Sequence, residues 1–314
     1  GARVQLISVL CINGPAPRRC CGCGATGVKA GGRMSETRDA TAKGPLIYRQ
    51  SIWTRLTHWV WAICLFFLLL TGLQIFNAHP ALYIGQQSGF EFDNAILEIG
   101  AFNTEAGPRG RTTIFGQTFD TTGVLGMSGS AERPTYTAFP GAVTIPSYRD
   151  LGTGRVVHFF FGWIFIGTML VWFVASFING HIRRDIVPKA ADIGGLPRDI
   201  AGHATLRFKH GRSYGPLQKL AYFSVFFILF PLIIATGLTM SPAINAAAPW
   251  MLDLFGGRQT ARTIHFVVMA LLVVFFIIHI VMVVAAGPFN ELRSMITGWY
   301  RASSGTPEAE GDRP

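Results

Sequence analysis

Residues 262–280 read Arg-Thr-Ile-His-Phe-Val-Val-Met-Ala-Leu-Leu-Val-Val-Phe-Phe-Ile-Ile-His-Ile, and this stretch decides the fold. After Arg262 it contains no charged residue, and it places His265 and His279 14 residues apart. Because about 20 mostly apolar residues span the hydrocarbon core of a bilayer, the stretch predicts a membrane-spanning helix. At about 100° per residue, 14 residues make nearly four turns, so both imidazoles share one face about 21 Å apart along the axis.

Three other stretches have the same character, which predicts an all-α integral membrane protein built as a four-helix bundle. With the first stretch, the predicted spans cover residues 56–76, 156–178, 217–239 and 263–286, and none contains Asp, Glu or Arg. The whole chain is 50% hydrophobic and 14% charged, against about 25% charged residues in soluble domains. Continuous helices are expected because lipid offers no hydrogen-bond partner to an exposed backbone.

The distribution of Lys and Arg predicts the orientation. Basic residues collect before the first span and in the loop at 179–216, and the positive-inside rule places both segments, and both termini, in the cytoplasm. The long segment 77–154 then becomes an external loop, which is expected to fold as a cap. Cytoplasmic basic loops account for the net charge of +10, so no nucleic-acid partner is expected.

The two ends of the chain are expected to lie outside the membrane domain, which is assigned to residues 48–300. Residues 1–47 are predicted to be a leader, disordered or not native before Met34, and residues 301–314 a disordered tail. The leader contains four cysteines, Cys11, Cys20, Cys21 and Cys23. Their spacing matches neither a zinc ribbon nor a common iron–sulfur run, so no metal site is assigned to them.

Four histidines form two pairs at matching depths. Helix one enters from the cytoplasm, so His58 near its start shares the inner level with His279. Helix two enters from outside, so His158 near its start shares the outer level with His265. In bis-His ligation, two imidazoles bind the iron of one haem from opposite faces. The sequence therefore predicts two haem b groups, whose irons bind these four histidines.

An arginine precedes three of these histidines by three residues, and an aromatic residue follows each of the three. Arg55, Arg155 and Arg262 are therefore expected to bind haem propionates through charge-assisted hydrogen bonds. The alternative is that they anchor helix ends among lipid headgroups. Gly162, one turn after His158, is expected to let a porphyrin approach, or else to serve helix packing. The other histidines, His79, His181, His203 and His210, are expected not to be ligands.

These residues resemble a known family. The R-x-x-H-W string at 55–59, His158 on helix two and the 14-residue pair on helix four are similar to the four-helix, cytochrome b561-like subunits of formate dehydrogenases, Ni–Fe hydrogenases and thiosulfate reductases. The strings GHIRRDIVP at 180–188, LQKLAY at 217–222 and TGLTMSP at 236–242 resemble the thiosulfate-reductase-like branch, which is often encoded beside molybdopterin oxidoreductases. The resemblance covers about residues 48–300.

The resemblance implies a bacterial inner-membrane cytochrome b subunit that passes electrons between a periplasmic redox partner, such as a molybdopterin enzyme, and the quinone pool. No catalytic residue is assigned. The quinone is expected near the inner haem, where the candidates are Tyr48, Arg49, His181, Lys219 and Tyr222. One alternative stays open, a self-sufficient cytochrome b561-type enzyme such as a quinone-coupled superoxide oxidase or a ferric reductase. A transporter is disfavoured because no inverted repeat or intramembrane acidic residue is visible.

Overall fold

The computed structural model describes residues 44–302, except 106, 131, 181 and 205–214. Its helices are α1 (Ile52–Phe76), α2 (Leu151–Ile178), α3 (Ala190–Ala204), α4 (Pro216–Ser224), α5 (Phe230–Thr239), α6 (Pro242–Ala247), α7 (Trp250–Leu254), α8 (Arg258–Ala286) and α9 (Pro288–Thr297). A π-helical turn, Val225–Leu229, joins α4 to α5. Within the described residues, α1, α2, the α4–α5 stretch and α8 are long and apolar enough to cross a membrane, which confirms the four predicted spans.

The helices begin earlier than hydropathy alone predicts, because polar residues cap them. The Ser51 hydroxyl accepts a hydrogen bond from the Thr54 amide at 3.2 Å, and the Asp150 carboxylate accepts one from the Thr153 amide at 3.0 Å. Each satisfies an amide that would otherwise lack a partner in the first turn. In the third span, Pro231 follows the π-helical turn and removes one backbone donor, which fits the irregular geometry at this point.

The middle of the bundle is a closely packed apolar layer. Here the Trp61 indole donates a hydrogen bond to the Thr168 hydroxyl at 3.0 Å, across α1 and α2. Since lipid is as apolar as these side chains, close packing rather than removal from water holds the helices together. The buried residues of this layer are Trp61, Cys64, Phe165, Met169, Val225 and Phe230.

The segment between α1 and α2 is β-structure, so the expectation of an entirely helical protein needs correction. Strand β1 (Leu46–Tyr48) precedes α1 and strand β8 (Trp299–Arg301) follows α9. The strands of the segment itself are β2 (Ala81–Tyr83), β3 (Ala95–Thr104), β4 (Gly107–Ile114), β5 (Gln117–Asp120), β6 (Ser128–Ser130) and β7 (Arg133–Thr135). Strands β2 to β5 form an antiparallel sheet in sequence order, and β6 pairs with β7. Strand β4 reads Gly-Pro-Arg-Gly-Arg-Thr-Thr-Ile, which lacks the alternating apolar pattern that would have predicted it.

This β-structure, which we call the cap (residues 77–150), is fixed to one end of the bundle. Asn77, just after α1, exchanges two hydrogen bonds with the backbone of Phe139, at 3.0 and 2.7 Å. The Thr263 hydroxyl of α8 donates to the Tyr83 carbonyl at 2.7 Å. A small apolar core lies between the cap and the helices, formed by Phe76, Leu82, Ile99 and Ala138. We call this end of the bundle the cap end.

At the opposite, terminal end, strands β1 and β8 pair antiparallel, with Leu46 opposite Arg301 and Tyr48 opposite Trp299. Helix α9 follows α8 after Gly287, whose φ of 105° turns the chain sharply. Residues before 44 and after 302, which make up most of the predicted leader (1–47) and tail (301–314), lie outside the described residues.

Candidate functional site: two histidine pairs

The four histidines predicted as ligands meet in the two predicted pairs. The ring centroids of His158 and His265 lie 6.5 Å apart at the cap end, and those of His58 and His279 lie 6.4 Å apart at the terminal end. All four side chains are half-buried. We refer to them as the cap-side pair and the terminal-side pair. The 14-residue interval on α8 places the two levels about 21 Å apart along that helix.

These separations fit two imidazoles that share one metal. With a metal–nitrogen bond of about 2.0 Å and about 1.1 Å from the ring centre to the nitrogen, collinear imidazoles have centroids about 6.2 Å apart. Both observed separations lie close to that value. Among the described residues, no group of three or more His, Cys, Asp or Glu side chains could hold a metal ion. Two-ligand sites suit a metal whose other positions are filled by a macrocycle, as in haem.

Threonine hydroxyls orient the cap-side pair. The Thr71 hydroxyl on α1 lies 3.0 Å from His158 Nδ1, and the Thr236 hydroxyl on α5 lies 3.1 Å from His265 Nδ1. Each hydroxyl proton is already donated along its own helix, to the carbonyls of Phe67 and Leu232. The threonine oxygens can therefore only accept hydrogen bonds from the imidazoles.

Each cap-side imidazole therefore has a threonine oxygen as its hydrogen-bond partner at Nδ1. Since that oxygen can only accept, Nδ1 must hold the ring proton. This tautomer leaves the Nε2 lone pair free to bind a metal, which is the usual arrangement at metal-ligating histidines.

A glycine follows each of these threonines and lies against the same imidazole. A Cβ atom at Gly72 would lie 3.4 Å from His158 Cε1, and one at Gly237 would lie 3.2 Å from His265 Cε1. The equivalent atom at Gly162, the glycine chosen from the sequence, would meet only Leu68 Cδ2 at 3.9 Å. The structure therefore places Gly72 and Gly237, rather than Gly162, against the rings of His158 and His265.

Aromatic contacts, rather than hydroxyl groups, surround the terminal-side pair. The His58 ring meets Trp59 edge-on at 5.3 Å, and the His279 ring stacks on Phe275 at 6.2 Å. The Nδ1 atom of His58 is buried without a hydrogen-bond partner in the described part of the chain. The Trp59 indole donates to the Met295 carbonyl of α9 at 3.1 Å, so α9 fixes the neighbouring ring.

The three predicted propionate-binding arginines have different surroundings. Arg55 donates to the Ile296 carbonyl at 2.5 Å, and its Nε is buried without a partner among the described residues. Arg155 is exposed, with its guanidinium 5.9 Å from the Phe159 ring. Arg262 donates to the carbonyl of His79. Arg55 therefore has a buried donor available one turn from His58, and Arg262 connects the cap to the turn before His265.

An open depression of about 260 Å³, with both polar and apolar lining, lies in the cap beside the contact between Arg262 and His79. It is lined by His79, Pro80, Ala81, Tyr83, Glu98, Ile99, Gly100 and Arg111. Burial and the Arg262 charge lower the pKa of His79, against an opposing contribution from Glu98. Of the other histidines outside the two pairs, His181 and His210 lie outside the described residues, as does the side chain of His203.

Sequence reasoning missed the threonines and glycines that contact the cap-side pair. A repeated signal was present, because a Thr-Gly dipeptide occurs near the end of both the first and the third spans, at 71–72 and 236–237. The role of this dipeptide can be assigned only when the packing of the helices is known, because each threonine contacts a histidine of the next span.

Comparison with known proteins places the chain in a family. Residues 49–298 match a family model described as prokaryotic cytochrome b561. The chain is also 22% identical over 237 residues to the putative protein-methionine-sulfoxide reductase subunit YedZ1 of Azospira oryzae, which covers 74% of this chain and 87% of that protein. No solved structure gives a significant match.

The family implies haem b, which agrees with paired imidazoles on four apolar helices. The family match covers most of the chain and includes all four helices and both histidine pairs. The chain belongs to the prokaryotic cytochrome b561 family and is a bacterial membrane electron-transfer protein.

Proposed function

We propose that this chain is an electron-transfer subunit that holds two b haems, one on each histidine pair, and exchanges electrons between a redox partner at the cap end and quinone at the terminal end. The observation that carries the proposal is the pair of imidazole separations, 6.5 and 6.4 Å, at opposite ends of one bundle. The relative is named as a subunit, which supports a role beside another polypeptide.

When bound, haem supplies a reversible one-electron iron couple. The chain's own residues hold and insulate the groups. His58 and His279 would ligate at the terminal end and His158 and His265 at the cap end. Arg55 and Arg262 are the arginines whose positions favour propionate binding, whereas exposed Arg155 also fits headgroup anchoring. The buried layer around Trp61 and Phe165 excludes water between the two levels.

The contacts of the quinone-site candidates favour Arg49 and Tyr222 over Lys219 and Tyr48. Lys219 is paired with Asp192 at 3.1 Å, and Tyr48 lies half-exposed against Trp299, so neither is the best candidate. Arg49 pairs with Glu291 at 3.5 Å and also stacks over the Tyr300 ring at 4.7 Å. His181 lies outside the described residues.

Tyr222 belongs with Arg49 and Glu291. The Gln218 amide donates to the Tyr222 hydroxyl at 2.8 Å, and both Arg49 and Glu291 lie near enough to interact with that hydroxyl electrostatically. Reduction of a quinone takes two electrons and two protons. Glu291 and Tyr222 can each hold a proton, so the Arg49–Glu291–Tyr222 cluster is the favoured quinone site.

The cap is proposed to face the periplasm and to dock the redox partner. The basic residues near the terminal end, such as Arg183 and Lys189, support a cytoplasmic location for that end under the positive-inside rule. Large aromatic side chains are exposed on the cap, where a transient electron-transfer contact needs only a modest interface. They are Phe90, Phe92, Phe115, Phe119, Tyr136 and Tyr148.

A self-sufficient enzyme remains the second candidate, and the cap depression favours it. Its volume of about 260 Å³ is below the usual range for drug-sized ligands, so it suits only a small substrate. In this reading the small molecule exchanges electrons at the cap end and no partner protein is needed.

The first experiment counts haems. The purified protein should show a reduced b-type spectrum with two haems per chain, and a short-chain quinol should reduce both. Glu291→Gln should slow quinol-driven reduction while leaving haem content unchanged, whereas Asp120→Asn, in an exposed ion pair of the cap, should change neither. A wild-type protein with fewer than two haems per chain would contradict the proposal.

The second experiment separates the two candidates. Residues 90–137 are replaced by a short Gly/Ser linker, which keeps the Asn77–Phe139 hydrogen bonds. Both haems should survive, and electron exchange with the co-expressed partner should stop. If the partner exchanges electrons at the normal rate, the cap does not dock it. If the intact protein alone oxidises or reduces a small substrate, the self-sufficient enzyme is correct.

A further inference from the structure

The same combination of sequence elements occurs in both halves of the bundle: a Thr-Gly pair near the cap end of one span and Arg-x-x-His-Phe near the start of the next. In the first half, Thr71-Gly72 on α1 accompanies Arg-Val-Val-His-Phe at 155–159 on α2. In the second half, Thr236-Gly237 on α5 accompanies Arg-Thr-Ile-His-Phe at 262–266 on α8. Each half is a helical hairpin in which a threonine contacts the histidine of the next span, at 3.0 and 3.1 Å. The cap-side pair is therefore assembled from two equivalent halves.

The repeated contact is too specific to be helix packing alone. Both threonines are almost completely buried, and both donate their own protons to the carbonyl four residues earlier. Both therefore present to the imidazole Nδ1 an oxygen that can only accept. Packing needs a side chain of threonine's shape, which valine also has, whereas this arrangement uses the hydroxyl oxygen.

We propose that Thr71 and Thr236 are positioning residues that hold the ring proton of His158 and His265 on Nδ1 and strengthen Nε2 as a ligand, which lowers the reduction potential of the cap-side haem. The inference rests on the proposed function, because it assumes that the cap-side pair ligates haem. A hydrogen bond donated by Nδ1 makes Nε2 a stronger electron donor, and a stronger donor favours ferric over ferrous iron. Removing such a partner typically costs 10- to 100-fold in metal affinity or activity.

The test replaces each hydroxyl by a methyl group. Thr71→Val and Thr236→Val should each weaken ferric relative to ferrous binding about tenfold, which raises the cap-side potential by about 59 mV. The terminal-side component should not move, and it reports that the protein is folded. Electron paramagnetic resonance of the oxidised protein should show a changed signal for the cap-side haem only. Thr71→Ser and Thr236→Ser keep the hydroxyl and should restore the wild-type potential.

Thr168→Val is the matched control. Thr168 also donates to its own helix, and its hydroxyl accepts from the Trp61 indole rather than from a histidine. The inference is wrong if the valine variants shift the cap-side potential no more than this control, or if both haem components shift together. A wild-type protein with fewer than two haems would instead contradict the proposed function, so the two failures are distinguishable.

Discussion

The two histidine pairs have nearly the same separation but are oriented by different means. At the cap end, threonine hydroxyl oxygens accept hydrogen bonds from the imidazoles of His158 and His265. At the terminal end, aromatic rings contact the imidazoles, and Nδ1 of His58 has no partner in the described residues. The separation of the ring centroids therefore does not by itself show how firmly each histidine is oriented.

If each pair ligates a haem, as proposed, this difference affects the reduction potential of each haem. A hydrogen-bonded imidazole has a fixed tautomer and a more basic second nitrogen. An imidazole held by aromatic contacts keeps its orientation through packing and stays closer to its intrinsic basicity. We therefore expect the two haems to differ in potential although they share the same ligand types.

The largest expected effect comes from removing the ligands themselves. His158→Ala and His265→Ala should each remove the cap-side haem, and His58→Ala and His279→Ala should each remove the terminal-side haem. Haem content should fall from two to one per chain, because one imidazole cannot replace a bis-His site. Redox titration should show the same missing component within each pair. Different missing components for His158→Ala and His265→Ala would disprove the pairing.

A smaller loss is expected when a methyl group is added beside a cap-side ring. Gly237→Ala would place its Cβ 3.2 Å from His265, so the ring must move and the cap-side haem content should fall by about half or more. Gly162→Ala has room, with its nearest contact at 3.9 Å, and should leave both haems in place. The haem ratio of purified protein measures the effect. Equal losses for the two variants would show that ring displacement is not the cause.

The comparison also predicts an order of potentials. The cap-side haem should have the lower midpoint potential, by an amount on the order of 59 mV, which corresponds to a tenfold difference in relative ferric binding. Potentiometric titration of wild type and of the four histidine variants assigns each component to its pair. If the component lost in His265→Ala has the higher potential, the hydrogen bonds do not dominate the local electrostatics.

The smallest expected effect concerns the aromatic support at the terminal end. Trp59→Phe removes the hydrogen bond to the Met295 carbonyl but keeps a ring beside His58, and should cost about 1 kcal/mol of stability. Thermal loss of the terminal-side haem should occur at a slightly lower temperature, with the cap-side haem unaffected. Trp53→Phe, which changes a largely exposed indole on the same helix, is the control and should have no effect.

The sequence was sufficient to predict those features of the site that depend on a single helix. The interval from His265 to His279 and the uncharged spans could be read directly, because helical geometry relates residue number to depth and face. Thr71 and Gly72 could not be assigned, since their role arises only when α1 packs against α2. The cap sheet was also missed, because strands such as β4 contain polar residues on both faces. The turn that joins β4 to β5 has positive φ at Phe115 and Gly116.

The pairing of β1 with β8 makes the membrane domain a closed loop of chain. Residues 46 and 301 face each other across one antiparallel pair, where opposite Cα atoms lie about 4.5–5.5 Å apart. A short linker could therefore join them without moving any helix. A circularly permuted chain, opened instead at the two-residue turn between β4 and β5, should still present both histidine pairs. Its folding would show that the order in which the helices are synthesised is not needed to assemble the bundle.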